Sequence, residues 1–355
     1  MSQTHTTTAP TTTLPETMQA WQFTSITTTL SQALELNSSA PLPTAPLNPG
    51  EYLIQVHYAS LNPVDYKLPE LPLIPRLILP SPCTPGLDFS GRIVAASPTS
   101  TIPIGTMVFG KLEPKHRFGS LGAYIIGSKE GTVPLPSGVS AEAGATLGVC
   151  GLVTYQCLQR NVKAGDHVLV NGGSGGTGTF AVQIAKALGC VVTTTCSGAN
   201  AQLCRDLGAD HVIDYRTESV VDVLAASGRK YNFVLDNVGA TAELYWQAPQ
   251  FTAPDAKYVQ IGSQVSVAFL YDLAWRFLVP SWLGGGQRAF AFGKTATNYE
   301  DFVALGKMVA AGRVRPVMQE VVEFDGVRGA YEMLRAGRCR GKIVVRVLDE
   351  KDEQE

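Results

Sequence analysis

Apolar residues in the first part of the chain, from Met18 to about Pro136, occur in short runs that Pro and Gly separate. Runs of about four to eight apolar residues between turn-forming residues are typical of strands. The spacing therefore predicts a β-rich domain over residues 18–140, without long helices between its strands. The clearest strand candidates are Tyr52–Tyr58, Gly91–Ala95, Met107–Gly110 and Ala123–Ile126.

A different pattern begins near Ala141. A helical segment to Arg160 is followed by the apolar strand His167–Asn171, a glycine-rich turn, a helix through Ala187 and the strand Cys190–Cys196. Strands and helices then alternate to about residue 312. Alternation on this scale implies right-handed crossovers and a parallel, doubly wound sheet. The predicted fold class is therefore α/β, with a β-rich domain followed by a parallel-sheet domain over residues 141–312.

The remaining segments differ in composition. Residues 1–17 are dominated by Thr, Pro and Ser and are predicted to form a disordered tail, and residues 349–355 form a charged one. Residues 313–348 end in the strand Lys342–Val347, which is expected to rejoin the first domain.

The most apolar stretch runs from Val265 to Leu283 and approaches the length of a membrane span. Asp272, Arg276 and Pro280 interrupt it, so a membrane partner is not expected. The favoured interpretation is a buried helix and loop inside the fold. A pocket wall, a dimer face or a weak membrane contact stays open as an alternative.

Composition restricts the class of protein further. The formal net charge of −2 leaves no cationic excess for a nucleic-acid partner. No Lys or Arg precedes Lys67, so no secretion or transit segment is expected, and the seven cysteines are scattered without a CxxC pair. Such thiols are typical of a reducing compartment rather than of disulfides or a zinc lobe, and the cytoplasm is the expected location.

The glycine-rich turn carries the strongest chemical signal. Its glycines fit the spacing G-x-G-x-x-G between a strand and a helix. Glycines let the pyrophosphate of a dinucleotide approach the backbone, and the helix N-terminus supplies amide donors. In this context the motif predicts dinucleotide binding. The predicted contacts are Gly173, Ser174, Gly175, Gly176, Thr177 and Gly178.

The end of the next strand indicates which dinucleotide is bound. Sites that prefer NAD place Asp or Glu there, whereas residues 195–200 (TCSGAN) contain no carboxylate. Ser197 and Asn200 can hydrogen-bond a 2′-phosphate, Arg216 can add charge, and Tyr215 can pack beside the adenosine. NADPH is therefore predicted over NADH by roughly ten- to hundred-fold. The alternative is that Ser197 and Tyr215 are ordinary loop residues.

Two further strands end in a glycine at the edge of the sheet where ligands bind. Asn237, Ile261 and Gly262 are predicted cofactor contacts there. Asp236 is more simply explained as a cap of the following helix.

Four segments together resemble one known superfamily. They are the glycine-rich turn, Leu61–Lys67 (LNPVDYK), Pro85–Gly91 (PGLDFSG) and Leu207–Tyr215 (LGADHVIDY). The chain is similar over nearly all of Met18–Val347 to the zinc-free quinone oxidoreductase and enoyl reductase branches of the medium-chain dehydrogenase/reductase superfamily. The resemblance implies a GroES-like catalytic domain, a Rossmann domain and NADPH-dependent hydride transfer to an activated carbon–carbon double bond.

The zinc-dependent alcohol dehydrogenases of the same superfamily are the competing interpretation. They need an early catalytic Cys and a His-Glu pair, but the corresponding positions hold Leu61–Pro63 and Gly86–Asp88. The five histidines are dispersed singly, and a zinc ion needs three or four convergent ligands. No metal is therefore expected.

Hydride transfer without a metal needs hydrogen-bond donors for the developing enolate and a source of a proton. By resemblance to fungal trans-acting enoyl reductases, the Asn62–Lys67 segment lies against the nicotinamide. Lys67 is the first candidate proton donor, Tyr66 the second and water the third. Asp65 could orient Lys67, and Asn62 could hold the carbonyl or the ribose. A solvated surface charge is the alternative for Lys67.

The resemblance adds contacts outside these segments. It places Thr154 near the nicotinamide amide and Lys342 with Ile343 on the cofactor side, although a surface lysine is the alternative for Lys342. Aromatic residues near the end of the second domain are expected to line a substrate pocket, and core packing explains them equally well. The predicted substrate contacts are Phe290, Phe292 and Gly293.

Three functions remain in competition. The leading hypothesis is a stand-alone NADPH-dependent reductase of small enones or quinones. The alternative is a trans-acting enoyl reductase that serves a polyketide synthase in fungal secondary metabolism, with an acyl carrier protein docking on the Lys111–Arg117 loop. A non-catalytic NADPH-binding or membrane-associated scaffold is the third. A homodimer is expected by analogy alone.

Overall fold

The computed structural model describes residues 14–43, 46–71, 79–262 and 267–348. The predicted charged tail lies outside the described residues, as do residues 1–13 of the predicted N-terminal tail. Within the described part, two large sheets organise the chain.

Short strands and two short helices make up the first domain. Its central strand pairs antiparallel with two others, and Tyr52, Ile54 and Val56 on that strand are completely buried. The strands are β1 (Thr17–Gln22), β2 (Glu35–Pro41), β3 (Glu51–Ser60), β4 (Asp88–Ala96), β5 (Met107–Lys111), β6 (Tyr124–Ser128) and β7 (Thr132–Pro134). The helices are α1 (Leu30–Ala33) and α2 (Pro63–Lys67).

The second domain alternates strands and helices. Its strands are β8 (His167–Asn171), β9 (Val191–Cys196), β10 (His211–Asp214), β11 (Tyr231–Asp236), β12 (Thr252–Gln260) and β13 (Ala289–Phe292). Its helices are α3 (Ala141–Ala145), α4 (Leu152–Gln159), α5 (Gly176–Ala187), α6 (Ala201–Asp206), α7 (Val220–Ala226), α8 (Glu243–Trp246), α9 (Ala248–Phe251), α10 (Val267–Leu278) and α11 (Tyr299–Ala310).

The strands of the second domain form one parallel sheet in the order β10-β9-β8-β11-β12-β13. The order reverses direction between β8 and β11, so a crevice opens at the carboxyl ends of these two strands. The predicted α/β fold with a doubly wound parallel sheet is confirmed.

The C-terminal segment joins the first sheet. It contains β14 (Met318–Glu323), α12 (Val327–Arg335) and β15 (Lys342–Arg346). β15 pairs parallel with β14 and antiparallel with β3, which gives a seven-stranded sheet in the order β14-β15-β3-β4-β5-β7 with β6 attached to β3. Gly341, which directly precedes β15, forms an isolated bridge with Gly175 of the glycine-rich turn. The two domains are therefore in contact at this turn.

The predicted helix Ala141–Arg160 is interrupted, which the sequence pattern did not indicate. Residues Leu147–Gly151 form a π-helical turn between α3 and α4. Asp88 accepts a hydrogen bond from the Val149 amide at 2.7 Å, and a Cβ on Gly148 would lie 2.1 Å from Asp88 Oδ1. The wider turn makes room for this buried carboxylate, and such bulges are frequent at functional sites.

The apolar stretch Val265–Leu283 is less buried than the sequence predicted, and its residues 263–266 lie outside the described part. One side of α10 packs on β13, where the ring centroids of Phe277 and Phe290 are 5.6 Å apart. Leu278 at the end of α10 and Trp282 in the following turn are 79% and 80% exposed. The reason is that β13 is the edge strand of its sheet and offers one surface to the helix. None of the described helices is long and apolar enough to span a membrane.

Candidate active site

The glycine-rich turn lies at the carboxyl end of β8 and leads into α5. The protein itself requires Gly173 and Gly178, because a Cβ would lie 2.0 Å from Thr194 Oγ1 and from Gly172 O, respectively. Gly175 differs, since a Cβ there would meet no atom within 4 Å. The open space beside Gly175 lies at the N-terminus of α5, where backbone amides bind anions. A pyrophosphate fits this position.

Lys342, predicted as a cofactor contact, directs its charge away from the turn. Its stem passes the turn, 3.2 Å from the Cβ position of Gly176, and the side chain is 2% exposed. Its Nζ lies 2.9 Å from Leu61 O, 2.5 Å from Asn62 Oδ1 and 3.4 Å from Asp88 Oδ2. The structure therefore brings the ammonium to α2 and not to the open space beside the turn.

Asn62, Asp88, Cys150 and Lys342 form one buried cluster, called the lysine network below. Asn62 Nδ2 donates to Asp88 Oδ2 at 2.9 Å, and Cys150 Sγ lies 3.6 Å from Lys342 Nζ. Burial acts to lower the pKa of Lys342, but Cys150 and the Asp88 carboxylate outweigh it and raise the pKa. The charged ammonium thus fixes the orientation of Asn62.

The carboxyl group of Asp88 is the second charge of this network. Burial raises its pKa, while Lys342, Asn62 and the Val149 amide act to lower it. Lys342 Nζ lies 3.4 Å from Asp88 Oδ2, and both side chains are buried, so they form a buried pair. Among the described residues, no three His, Cys, Asp or Glu side chains are placed to hold a metal ion.

Asn62 also begins α2, which carries the other predicted catalytic residues. Asp65 Oδ2 accepts a hydrogen bond from Asn62 N at 2.7 Å as part of a capping box. Burial raises the pKa of Asp65 to about 8, the Asn62 amide opposes this, and the Asp88 carboxylate adds to it. The Tyr331 hydroxyl of α12 faces the same carboxyl group. Asp65 is therefore uncharged at neutral pH.

Tyr66 and Lys67 have different surroundings. Tyr66 is buried in the core of the first domain, where the Arg335 guanidinium lies 4.4 Å from its ring centroid. Lys67 is exposed, yet partial burial lowers its pKa. A lysine with a lowered pKa is the better proton donor near neutral pH. Of the two candidate donors, the structure favours Lys67.

The predicted 2′-phosphate site is the loop that follows β9. Asn200 Nδ2 donates to Ser174 Oγ at 3.1 Å, which ties the loop to the glycine-rich turn, and Asn200 Oδ1 has no partner among the described residues. Ser197 is half-buried in the same loop. Arg340, which the sequence did not indicate, also reaches it, with Nη2 3.4 Å from Ala199 O. The structure thus brings one more cation to this loop.

Tyr215 and Arg216, also predicted here, follow β10 and are exposed. Arg216 N donates to Asp214 Oδ1 at 3.0 Å. The other oxygen of Asp214 approaches the loop after β9, because a Cβ on Gly198 would lie 2.4 Å from it. A carboxylate therefore lies beside this loop, which the sequence pattern did not predict.

The crevice between β8 and β11 holds several predicted cofactor contacts. Both polar atoms of the Asn237 side chain are buried without a hydrogen-bond partner in the described part of the chain, so its amide is available to a ligand. Gly262 packs on the Asn237 backbone, where a Cβ would lie 2.1 Å from the carbonyl oxygen. Thr154 is fully buried, and its hydroxyl donates to Cys150 O at 2.8 Å.

The three predicted substrate contacts do not share one environment. The ring of Phe290 lies 5.3 Å from that of Tyr245 and 5.2 Å from that of Phe292. Gly293 follows β13 and lies against Ile261, whose Cγ1 would be 2.6 Å from a Cβ at this glycine. The structure therefore brings Gly293 and Ile261 together at the ligand edge of the sheet and places Phe290 in aromatic packing.

The Lys111–Arg117 loop, predicted as a docking patch, offers less charge than expected. Lys111 is 3% exposed, and its Nζ pairs with Glu113 at 3.4 Å. Glu113 also contacts the Thr297 hydroxyl in the second domain. The start of this loop therefore bridges the domains, and only its later cations remain exposed.

Three residues of the site were not assigned from the sequence, namely Asp88, Cys150 and Arg340. The contacts of Asp88 with Asn62 and Lys342 span 26 and 254 residues of sequence. Contacts between residues so far apart in sequence produce no local sequence pattern. The one signal for Asp88 was its place in the PGLDFSG segment, which resembles the family. Ile343, predicted on the cofactor side, is completely buried in β15.

Known proteins match the chain over almost its whole length. Residues 48–142 match the family described as alcohol dehydrogenase GroES-like domain, and residues 207–345 match the family described as zinc-binding dehydrogenase. A trans-enoyl reductase of Aspergillus terreus is 43% identical over 348 residues, which is 94% of this chain and 98% of that protein. The chloroplastic quinone-oxidoreductase homolog of Spinacia oleracea is 36% identical, with 83% of this chain and 89% of that protein covered.

Among solved structures, the quinone oxidoreductase from Coxiella burnetii is 28% identical, with a TM-score of 0.79 over 93% of this chain and 99% of that one. The chain therefore belongs to the medium-chain dehydrogenase/reductase superfamily, in the group of quinone oxidoreductases and enoyl reductases. It is an oxidoreductase that uses a nicotinamide cofactor, and the predicted family and class of enzyme are confirmed.

Proposed function

We propose that the protein is an NADPH-dependent reductase that transfers hydride to an activated carbon–carbon double bond. The observation that carries the proposal is the lysine network. Lys342 directly follows the Gly175–Gly341 bridge, and its ammonium orients Asn62 at the start of α2. The turn that binds the pyrophosphate and the helix that carries Lys67 are thereby held in a fixed relation. The trans-enoyl reductase and quinone oxidoreductase relatives support the same class of acceptor.

The bound cofactor supplies the hydride, and the chain supplies positioning and a proton. Backbone amides at the N-terminus of α5 bind the pyrophosphate, and the unpartnered Asn237 amide orients the nicotinamide. Reduction of an enone or enoyl thioester puts negative charge on the carbonyl oxygen, and the α-carbon must receive a proton. Burial lowers the pKa of Lys67. Its ammonium donates a hydrogen bond to the carbonyl oxygen and delivers a proton to the α-carbon, directly or through water.

A comparison of two lysine variants tests this role. Purified protein is given NADPH with a panel of enones, quinones and enoyl thioesters, and cofactor oxidation is followed by absorbance. Lys67→Gln should lower kcat by about a hundred-fold, the usual scale for general acid catalysis. Lys129→Gln, which removes an exposed lysine far from α2 in sequence, is the control. Wild-type kcat in Lys67→Gln would contradict the proposal.

The preference for NADPH rests on the loop after β9. Arg340 Nη2 reaches this loop, where Ser197 and Asn200 add hydrogen-bonding groups. Arg216 directly follows Asp214 and Tyr215, and the backbone amide of Asp214 donates to the Glu218 carboxylate at 3.2 Å. One charge-assisted hydrogen bond corresponds to roughly ten- to hundred-fold in affinity. The ratio of kcat/KM for NADPH and NADH measures this preference, and equal values would refute it.

Zinc independence is also part of the proposal. In the lysine network, a cation of the chain itself lies among Asn62, Asp88 and Cys150 and neutralises the buried carboxylate. Turnover should therefore continue in the presence of a chelator. Loss of activity on chelation, with recovery on adding zinc, would show the opposite.

A trans-acting enoyl reductase of a polyketide synthase is the second candidate, favoured by the 43% identical relative. Lys115 and Arg117 are the exposed cations of the candidate docking loop for an acyl carrier protein. Turnover of carrier-bound but not of free enoyl thioesters would support this version. Tight NADPH binding without any turnover would favour a scaffold. The cytoplasm is the proposed location because all seven cysteines are free thiols.

A further inference from the structure

Two charged residues interrupt the most apolar stretch of the chain, and the structure buries both of them on α10. Arg276 Nη2 pairs with Asp272 Oδ2 at 2.5 Å, one helical turn apart, and the two side chains are only 2% and 15% exposed. Trp246 Nε1 of α8 donates to the other oxygen of Asp272 at 2.6 Å. A buried ion pair often adds no net stability compared with apolar side chains, so this pair indicates a positional role.

The guanidinium of Arg276 reaches beyond this pair. Its Cζ lies 4.2 Å from the ring centroid of Tyr245 and 4.7 Å from that of Phe290, so two aromatic rings hold it. Its Nη1 donates to Gln260 Oε1 at 3.4 Å in buried surroundings. Gln260 is the last residue of β12 and is 3% exposed. Arg276 therefore connects α10 to the carboxyl end of this strand.

The side-chain amide of Gln260 joins Arg276 to the turn after β12. Its Nε2 donates to Gly262 O at 2.9 Å. A guanidinium only donates hydrogen bonds and a carbonyl oxygen only accepts them, so the amide must direct its oxygen to Arg276 and its nitrogen to Gly262. The opposite orientation would bring two donors together and two acceptors together. One charged group thus fixes which way the amide faces.

The turn that Gln260 holds lies among the predicted cofactor contacts. Gly262 packs on the backbone of Asn237, whose side-chain amide is buried and has no hydrogen-bond partner in the described part of the chain. A Cβ on Gly239 would lie 2.4 Å from Gln260 Nε2 and 2.1 Å from Gly262 O, so a larger residue there would displace this contact. Gly293 N donates to Gln260 O at 2.9 Å. The positions of these contacts are therefore coupled to that of Gln260.

We propose that Arg276 is a positioning residue for hydride transfer, which acts through Gln260 to fix the turn beside Asn237. The inference rests on the proposed reduction of an activated double bond and adds a residue outside the site that sets its geometry. A misplacement of about 1 Å can cost about a hundred-fold in rate. Because the separate glycine-rich turn binds the pyrophosphate, loss of Arg276 should change the rate more than the affinity for NADPH.

Two single variants test this role. Arg276→Met keeps an unbranched side chain against the two aromatic rings and removes the guanidinium, while Trp246 still donates to Asp272. Gln260→Met keeps the length of the side chain and removes both of its hydrogen bonds. Each variant should lower kcat about ten- to hundred-fold and change KM for NADPH by less than about threefold. Wild-type kcat in Arg276→Met would overturn the proposal.

The double variant Arg276→Met/Gln260→Met distinguishes positioning from packing. If Arg276 acts through Gln260, the double variant should have the same kcat as Gln260→Met alone, whereas independent roles would multiply the two losses. Arg288→Met is the matched control. Arg288 Nε also donates to a side-chain oxygen, Thr252 Oγ1 at 2.8 Å, but at the amino ends of β12 and β13, so kcat should stay at the wild-type value. Multiplied losses, or an equal loss in Arg288→Met, would overturn the proposal.

A measurement on the cofactor-free protein separates this proposal from the proposed reaction. The Gly262 amide donates to Asp236 O at 3.3 Å, and its hydrogen–deuterium exchange reports on the turn. Relative to the amides of β8, which report on global unfolding, it should exchange roughly three- to ten-fold faster in Arg276→Met and Gln260→Met but not in Arg288→Met. Faster exchange in a protein that reduces no acceptor would support the positioning of the turn and refute only the proposed reaction. Wild-type exchange in both variants would overturn the proposal.

Discussion

The glycine-rich turn and the lysine network meet at the Gly175–Gly341 bridge, but they are built differently. The turn forms a site because its glycines have no side chains, and Gly175 leaves open space at the N-terminus of α5. In the lysine network, side chains from four separate segments are buried together around one ion pair. A single added methyl group in the turn should therefore weaken cofactor binding. Loss of a single charge in the network should lower the free energy of unfolding.

The largest effect is expected on removing the charge of Lys342. Lys342→Met leaves the Asp88 carboxylate buried without its countercharge, which should lower the free energy of unfolding by about 3–5 kcal/mol. Urea unfolding measures it. Lys186→Met is the control, because the half-buried pair of Lys186 with Asp210 is near the surface and should cost only about 1 kcal/mol. An equal decrease in the free energy of unfolding of both variants would show that the lysine network is no more important for stability than a surface ion pair.

A second effect concerns the pH dependence of stability through Asp65. Its folded-state pKa of about 8 lies above the unfolded value of about 3.9, so folding favours the protonated form. That stabilisation is complete below about pH 4 and is lost as the pH rises toward 8, by up to about 1.4 kcal/mol per pH unit. Asp65→Asn cannot ionise and keeps the acceptor for the Asn62 amide.

Urea unfolding at pH 5 and pH 7 compares the two proteins. The wild-type protein should lose about 2 kcal/mol more than Asp65→Asn between these pH values. Parallel pH dependence of the two proteins would mean that Asp65 is ionised in the folded protein.

In the glycine-rich turn, two alanine substitutions should have opposite consequences. Gly173→Ala places a Cβ against the Thr194 side chain and should lower the free energy of unfolding by about 1–3 kcal/mol. Gly175→Ala meets no protein atom, and its φ of −82° suits alanine, so unfolding should hardly change. Because the methyl group occupies the space for the pyrophosphate, the affinity for NADPH should fall about tenfold. Urea unfolding and NADPH fluorescence titration measure the two quantities, and unchanged affinity in Gly175→Ala would place the pyrophosphate elsewhere.

The smallest effect is expected at Arg340. Arg340→Gln removes a cation beside the loop after β9 and should lower the preference for NADPH over NADH by roughly three- to ten-fold in kcat/KM. Arg313→Gln is matched, since Arg313 also donates to a backbone carbonyl, that of Ala187, but at the far end of α5. A ratio that changes equally in both variants would exclude a specific role for Arg340.

The same comparison explains what could be predicted from the sequence. The turn was predictable because the strand, the three glycines and the helix are consecutive, and steric contact decides which positions must be glycine. Asn62 was predictable from the LNPVDYK segment, but its partners were not, since Lys342 is 280 residues away. The resemblance to the family assigned Lys342 to the cofactor side, but a resemblance cannot show that its ammonium points to α2.

The apolar stretch after β12 shows a further limit. A buried helix and loop was the favoured interpretation there, and Asp272, Arg276 and Pro280 argued against a membrane span. Burial depended on where β13 lies in the sheet, and strand order is a property of the whole domain. The π-helical turn at Leu147–Gly151 was missed for a similar reason, because it accommodates a carboxylate from β4.

One measurement tests the central claim most directly. NADPH carrying deuterium at the transferable position is incubated with the protein, an enone or enoyl thioester and a chelator, and the product is analysed by mass spectrometry and NMR. We expect a saturated product with one deuterium at the β-carbon and a solvent proton at the α-carbon, at the same rate with and without the chelator. A product without deuterium, or a reaction that the chelator stops, would contradict hydride transfer to a double bond in a metal-free site.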